Sequence, residues 1–584
     1  MTATGNAAWE SEADFSVGPW RVFPRRNVIV RGKEETRLEN RLMQTLAFLA
    51  AHPDRVIPRE EFFDAVWRGR VVNEEALSRA ISLLRSALDD NAHSPRFIQT
   101  IPGVGYRLIA PVADLLQAKR AALPVSELQG NSIAVLPFVN LSEDPANEYF
   151  SEGVSEEILN VLTQVKRFKV VGRTSSFAFK DRNKDLREIG TALNVTHLLE
   201  GSVRKADSRV RVTAQLIKAD DGFHVWSHTF ERQLDDIFAV QDEIATAVTR
   251  ALKVKLLGEP EGTQDVGGTN DTTAYQAYLL GIHYRNRGAL KDTVQRAQAA
   301  LERAVASDPG YARAWAALAF TWIDKVWNGY TTHGEGVRQI NAAATRAIEL
   351  APNLADGHLA LGLLLDIDHL DARNALDTIG TALQLNPGNV RILVQYARLN
   401  SHNLRHDIAI AAARKAVQLD PVSVYASHIL GHALYFARRY EEAILALRHT
   451  LELDPHYPKP HYFISMSLHW LGDTEAALKE IKDEPLSWMR HTALTTILHR
   501  RGRTREAQAQ FAKLVKLGET ENNFIQQADV HAQLGDTEQA MKCLHLALGQ
   551  GDPGLTQLLV DPFLDPLRED PRFVALLGKV GLAD

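Results

Sequence analysis

Prolines that close apolar runs fall at Pro309, Pro352, Pro387, Pro421 and Pro455, at spacings of 43, 35, 34 and 34 residues. A period near 34 constrains this chain more than any other feature. It has room for two short helices and a turn but not for a core of its own, so each unit must bury its apolar face on its neighbours. In VYASHILGHALYFARRYEEAILALRHTLELDP (424–455), Leu430-Gly431, Leu434, Ala443 and Leu447 put small and apolar residues where two helices would cross. Pro455 then ends the second helix, because it has no N–H to continue the ladder. The unit ending at Pro421 offers Ala397, Ala409, Ala413 and Ala416 in the same frame, and AYLLGIHY (277–284) and AWAALAFTW (314–322) supply the equivalent step of earlier units. The 43-residue interval predicts an insertion. Beyond Pro455 the frame is fainter, although REAQAQFAKL (505–514) and EQAMKCLHLAL (538–548) still fit it.

This frame resembles the tetratricopeptide repeat. The resemblance implies an all-α solenoid over 272–584 that receives a protein or peptide partner. His456, His461 and His469 have neither metal-site spacing nor a carboxylate partner in sequence, and are read as repeat-surface residues. Cys543, on the apolar face of AMKCLHLAL, is read as core rather than as a redox sensor. As the one cysteine of the chain it excludes an intramolecular disulfide and a cysteine-rich zinc cluster.

At 584 residues the chain is too long for one core. Stretches without apolar period, AALPVSELQGNS (121–132) and GEPEGTQDVGGTND (258–271), read as linkers and leave a head of about 15–113 and a middle block of about 131–256. No window approaches the ~18 apolar residues of a membrane span. The first residues, MTATGNAAWESEADF, lack the basic start and apolar core of a signal peptide, so the cytosol is the expected compartment. The net charge of −6 argues against a nucleic-acid binder, but it is uneven: residues 15–113 carry 15 Lys and Arg against 11 Asp and Glu. A modestly basic head precedes an acidic body.

Within the head, FIQTIPGVGYRLIA (97–110) contains Gly103 and Gly105. A phosphate-cradling glycine loop needs a strand before it and a helix N-terminus after it. Here an apolar run lies on each side, the second ending at Pro111, so the segment reads as a hairpin with both glycines at positive φ. Before it, VVNEEALSRAISLLRSALDD (71–90) carries a helical stripe of Ala76, Leu77, Ala80, Ile81, Leu84 and Leu88, with Asn73 as the expected N-cap. The opposite face shows Ser78, Arg79, Ser82, Arg85 and Ser86, small hydroxyls alternating with arginines. Such a face suits the major groove, where arginine bridges guanine O6 and N7 or a phosphate. Helices over 39–52 and 58–67 precede it, and WRVF (20–23), NVIV (27–30) and TRL (36–38) read as strands.

This arrangement resembles the winged-helix DNA-binding domain of OmpR/PhoB-type transcriptional regulators, most specifically in LSRAISLLRSAL (77–88) and IQTIPGVGYRL (98–108). The resemblance implies an α+β winged helix-turn-helix over 15–113. Its 73–89 helix would enter the major groove of double-stranded promoter DNA, and its wing would set Thr100 and Arg107 beside the backbone. It also implies that the loop 67–72 touches RNA polymerase or a second copy of the chain in a homodimer on DNA.

The middle block reads as α/β, with strands at 132–140 and 168–172, helices at 155–165 (Ser155 as N-cap), 185–195 and 236–252, and three antiparallel strands over 196–232. It resembles the N-terminal-domain type named for TolB, which implies no chemistry. Glu152, Glu156 and Glu157 are explained by the attraction of carboxylates to a helix N-terminus. His197, His224 and His228 lie on different strands or alternate faces, and no nucleotide, nucleophile or zinc motif is present, so no catalytic residue, cofactor or metal is expected. The order of segments resembles soluble activators that join an OmpR-type head to tetratricopeptide repeats, a class that includes invasion-gene activators. It implies a non-enzymatic transcriptional regulator whose body senses an input. The competing expectation is an interaction scaffold in which the repeats carry the function.

Overall fold

The computed structural model describes residues 15–114 and 132–582, apart from 25–26, 32–33, 53–54, 68–73, 93, 164–168, 181–184, 207–208, most of 234–266, 369–371 and 519–522. The chain forms two compact units, Met1–Leu128 and Gln129–Asp584.

The first unit opens with strands β1 (Phe15–Val17), β2 (Trp20–Phe23), β3 (Val28–Arg31) and β4 (Glu34–Arg37). Helix α1 (Asn40–Ala50), a short β5 (Ile57–Pro58), α2 (Arg59–Trp67) and α3 (Glu74–Leu88) follow. The hairpin β6 (Ile98–Ile101) and β7 (Gly105–Leu108) and a last strand β8 (Val112–Asp114) complete it. β8 returns to the antiparallel platform beside β1, giving the order β4-β3-β2-β1-β8, while β5 joins the hairpin as β5-β7-β6. The expected strands and helices of the head are thus present. β1, β5 and β8 were not expected, being two or three residues long and held by partners far along the chain. Trp20, Leu46, Leu49, Phe62, Leu84, Leu88, Ile98 and Leu108 form the core between platform, helices and hairpin. The expected cap Asn73 and the 68–72 part of the loop lie outside the described residues.

In the second unit, β9 (Ser132–Val135), β10 (Val139–Asn140), β11 (Lys169–Val170) and the long β12 (His197–Ala206), β13 (Arg209–Lys218) and β14 (His224–Gln233) build one sheet, ordered β11-β9-β12-β13-β14 with β10 beside β12. The expected strand 132–140 is therefore two strands. The helix expected from 155 begins at Glu148 and runs to Thr163. Ser155 is consequently no cap: it is buried, its Oγ donating to the Ser151 carbonyl at 2.8 Å and accepting from the Phe138 N–H at 2.8 Å. Gly153 disguised the early turns. It sits mid-helix because a Cβ there would lie 2.7 Å from Leu279 Cδ2. Of the helix expected over 236–252, Ile237, Val240 and Ile244 are buried in the body core.

Eight helical pairs follow among the described residues, from Thr272–Asn286 with Lys291–Ser307 to Phe524–Gln533 with Thr537–Gln550. Second helices end at Ser307, Leu350, Leu385, Leu419 and Leu453, each two residues before one of the spaced prolines. The 43-residue interval is taken up by longer helices, Ala312–Trp327 and His333–Leu350, and by the turn between them. A Cβ on Gly431 would lie 2.5 Å from Leu447 Cγ, so the small residue sets how closely the paired helices pack. After the last pair the chain folds through two 3-10 segments, Pro553–Gln557 and Pro562–Leu567, into the helix Pro571–Lys579. This is a tetratricopeptide-type solenoid.

The α/β block and the repeats share one apolar core, in which Phe150 meets Tyr275 edge-on at 6.5 Å. The glutamates explained above by a helix dipole lie one to three turns into the Glu148–Thr163 helix and face the first repeats. Glu152 meets Lys180 at 2.6 Å and His283 at 2.9 Å, Glu156 meets Arg173 at 2.8 Å, and Glu157 meets Arg313 at 2.5 Å. A second seam joins residues about 245 apart: Ser175 N–H donates to Asp420 at 2.7 Å and Gly172 N–H to the Leu419 carbonyl at 2.7 Å. Two of the three tail histidines are not surface residues either. His469 is buried and His461 pairs with Glu480 at 2.7 Å, while His456 is exposed. Cys543 is buried in the C-terminal core as expected.

Candidate nucleic-acid interface

Helix α3 is sharply two-faced. Leu77, Ala80, Ile81, Leu84 and Leu88 are buried, and Ser78, Arg79, Ser82 and Ser86 are exposed. Leu83, expected on neither face, is 44% exposed beside the serine–arginine stripe. The C-terminal end of the helix is held from two sides. Trp20 Nε1 donates to the Leu88 carbonyl at 3.0 Å, satisfying one of the acceptors a helix end leaves open. Asp89, at φ +58°, meets Arg31 and Arg96, each at 3.3 Å, and these two guanidinium groups hold its carboxyl below the usual range. Asp90 then accepts the backbone N–H groups of Asn91, Arg96 and Ile98 at 2.7 to 2.9 Å, which organises the path from helix to hairpin.

The hairpin is a three-residue connection. Val104 N–H donates to the Ile101 carbonyl at 3.1 Å around Pro102 and Gly103, with Gly103 at φ +75°, the arrangement of a type II turn. Gly105 is not at positive φ, contrary to expectation. It is required for space, because a Cβ would lie 2.0 Å from the Ile57 carbonyl oxygen of β5. Val104, at the tip, is 48% exposed.

Arg85 does not project freely with its neighbours. Its Nη2 donates to the Ile98 carbonyl at 2.7 Å and to Thr100 Oγ1 at 2.8 Å, with Nε at 3.3 Å from the same carbonyl, so it ties α3 to β6. Arg107 is bound to Gln99 Oε1 through Nη2 at 2.6 Å. Gln99 and Arg107 are directly opposed in the β6–β7 register, a pairing readable from the turn length once the hairpin is known. Of the sequence-predicted residues, the fold therefore gathers Ser78, Arg79, Ser82 and Ser86 on one open face, and places Arg85 and Thr100 together between helix and wing. Arg107 lies on the wing. Gln99, Asp90 and Leu83 were missed, the first two because their roles come from the pairing geometry.

The family model described as "Transcriptional regulatory protein, C terminal" matches residues 33–108, which span β4 to β7. The head is an OmpR-type winged-helix domain. This OmpR-type head is 41% identical over 97 residues to the transcriptional activator CadC of Escherichia coli (strain K12), a match covering 16% of this chain and 19% of that protein. The transcriptional regulator HilA of Salmonella typhi is 22% identical over 431 residues, 73% of this chain and 68% of HilA. A protein of Rhizobium meliloti (strain 1021), provisionally named adenylate cyclase 3, is 38% identical over 253 residues, 42% of each chain. That match is longer than the whole Met1–Leu128 unit and therefore reaches the body. The chain spans about two fifths of the length of this relative and about a fifth of CadC. Among the described residues, no helix is long and apolar enough to cross a membrane, and no group of three or more His, Cys, Asp or Glu residues is placed to hold a metal ion.

Proposed function

We propose that the chain is a DNA-binding transcriptional regulator in which residues 15–113 read promoter DNA, while 131–256 and 272–584 form the input body. The observation that carries this reading is the open face of α3, with Ser78, Arg79, Ser82 and Ser86 exposed on a helix fixed at its far end by Trp20 and Asp89. The serines let the backbone approach base edges, and Arg79 supplies the bidentate donor. Arg85 holds the wing against the helix, so Thr100 and Arg107 reach the phosphates in register with the groove. We assign 67–72 to contact with RNA polymerase or with a second copy in a dimer on adjacent half-sites. A promoter reader works where the DNA is, in the cytoplasm.

We read the chain as a regulator and not as an enzyme. The similarity to the Rhizobium protein covers less than half of that protein, and no catalytic constellation was found at the glutamates, which are engaged in ion pairs with the repeats. The full chain, incubated with ATP and a divalent metal, is expected to form no cyclic AMP.

The test of the main reading is binding of the full chain to a pool of genomic fragments at several salt concentrations. Specific fragments are expected, with affinity falling by a log–log slope of about −0.9 per neutralised phosphate. No salt-dependent binding would discard the regulator in favour of the scaffold reading, which also expects Arg79→Ala and Arg85→Ala to be without effect in the cell.

A further inference from the structure

The inner side of the later repeats encloses a cavity of about 530 Å³, within the usual size of a small-molecule site. Its walls are aromatic, including Tyr435, Tyr462, Phe463 and Trp488, and its two ends carry opposite charge. At one end Asp529 projects from the Phe524–Gln533 helix, and Asp552 and Asp561 head the two 3-10 segments that fold back after the last repeat. Asp552 gives one oxygen to the Gly554 N–H at 2.8 Å and Asp561 one to the Phe563 N–H at 2.9 Å. Oδ2 of Asp552 and Oδ1 of Asp529 have no hydrogen-bond partner among the described residues, although the two side chains belong to residues 5% and 3% exposed.

Three carboxylates gathered out of water without a cation are costly. Burial and mutual repulsion raise Asp529 well above the ordinary range, and burial lifts Asp561 to about 6. The nearby cations are engaged elsewhere. Arg568 donates to the Leu558 and Asp561 carbonyls and Arg438 pairs with Asp565. The carboxylates are not arranged for a metal ion. What they lack is an organic cation, and the aromatic walls beside them suit an ammonium group.

The other end carries Arg398 and Lys459. Arg398 is anchored by Asp366 at 2.7 Å. Lys459 sits at φ +84°, a conformation that non-glycine residues seldom adopt. Its backbone N–H is held by the fully buried Glu484 carboxylate at 3.1 Å, which also accepts from the Tyr462 N–H. That brace turns the lysine onto the cavity wall. His402, His428 and His432, all lining the same region, are kept neutral by burial, so the positive charge at this end belongs to Arg398 and Lys459.

We propose that this cavity binds a small zwitterion of the amino-acid or short-peptide class, its ammonium against Asp529, Asp552 and Asp561 and its carboxylate against Lys459 and Arg398. The site goes beyond the DNA-reading assignment and does not depend on it, since binding is measured without DNA. The probes are the free L-amino acids, dialanine and trialanine, with their N-acetylated and C-amidated forms, titrated into the full chain and followed by thermal shift and calorimetry. At least one free zwitterion gives a saturable shift, and blocking either end weakens it at least tenfold. Asp529→Asn and Lys459→Ala each weaken binding at least tenfold. Asp529→Asn leaves the unliganded melting temperature unchanged or higher, which separates lost binding from lost folding. Absence of a saturable response across the panel would overturn the proposal. So would equal binding of a blocked form, or wild-type affinity in either variant.

Discussion

Arg79 and Arg85 stand two turns apart on one helix, yet the geometry predicts opposite signatures for their loss. Arg79 is exposed on α3, so Arg79→Ala should change folding stability by no more than about 0.5 kcal/mol. Its cost falls on DNA, at about 1–3 kcal/mol if it reads a base, or a salt slope smaller by about 0.9 if it meets only a phosphate. Arg85 is half-buried and spends Nε and Nη2 on the Ile98 carbonyl and Thr100, so Arg85→Ala strips the helix–wing junction of its charged donor. Hydrogen bonds from a charged group contribute about 1.5–3 kcal/mol. That loss should appear in hydrogen exchange as faster opening of amides in Ile98–Ile101 and the last turns of α3, with the second unit unaffected. Arg85→Lys should recover little, because an ammonium cannot reproduce the planar fork. The assay is paired: exchange on the free full chain, and titration of each variant against one recovered fragment at three salt concentrations. If Arg85→Ala left exchange of β6 unchanged while abolishing DNA binding as Arg79→Ala does, Arg85 would be a reader and not a brace.

Gly105→Ala places a Cβ against the Ile57 carbonyl, and should cost about 1–3 kcal/mol by pushing β5 off β7; unchanged exchange at Tyr106 would refute the close approach. Arg313→Ala leaves the buried Glu157 carboxylate without its guanidinium, at about 3–5 kcal/mol, and adding Glu157→Gln should return much of the loss in the melting temperature of the second unit. Two carboxylates predict opposite pH trends. Burial pushes Glu152 up, but hydrogen bonds and charge from His283 and Lys180 outweigh it and hold the group at about 2, so its contribution is present above pH 4.5 and lost as the pH falls toward 2. Asp561 is raised by burial to about 6, so its contribution is present below 3.8 and lost as the pH rises to 6, at most about 3 kcal/mol. Melting curves of Asp561→Asn should lack that decline between pH 4 and 6; an identical decline would remove Asp561 as its source.

Local patterns explain what was legible in the sequence. The proline spacing reported the solenoid because each unit repeats the same short-range problem, and the stripe from Leu77 to Leu88 reported α3 because its neighbours lie three and four residues away. The Gly-Val-Gly hairpin was legible as a hairpin, but the reason for its second glycine was not, since Ile57 lies 48 positions earlier. The same limit hid β1 and β8, which are strands only because they pair with each other, and the start of the Glu148–Thr163 helix, whose Gly153 answers to Leu279. Of the interface, residue types on α3 could be named from sequence, whereas the split between a free Arg79 and a braced Arg85 needed the position of Ile98.

The body shows why long-range packing also matters for function. Glutamates read in isolation suggested either an acid–base pair or a helix dipole, and both readings fail because Lys180, Arg173, His283 and Arg313 arrive from other elements and neutralise them. Asp529, Asp552 and Asp561 are brought together by the same kind of long-range folding, yet the fold brings them no such cation. A solenoid ending that only capped the last repeat would need polar groups facing water, and Asp529 and Asp552 instead face inward beside an aromatic cavity. Satisfied carboxylates on one side of the solenoid and unsatisfied ones on the other are what separates a structural joint from a binding site in this molecule.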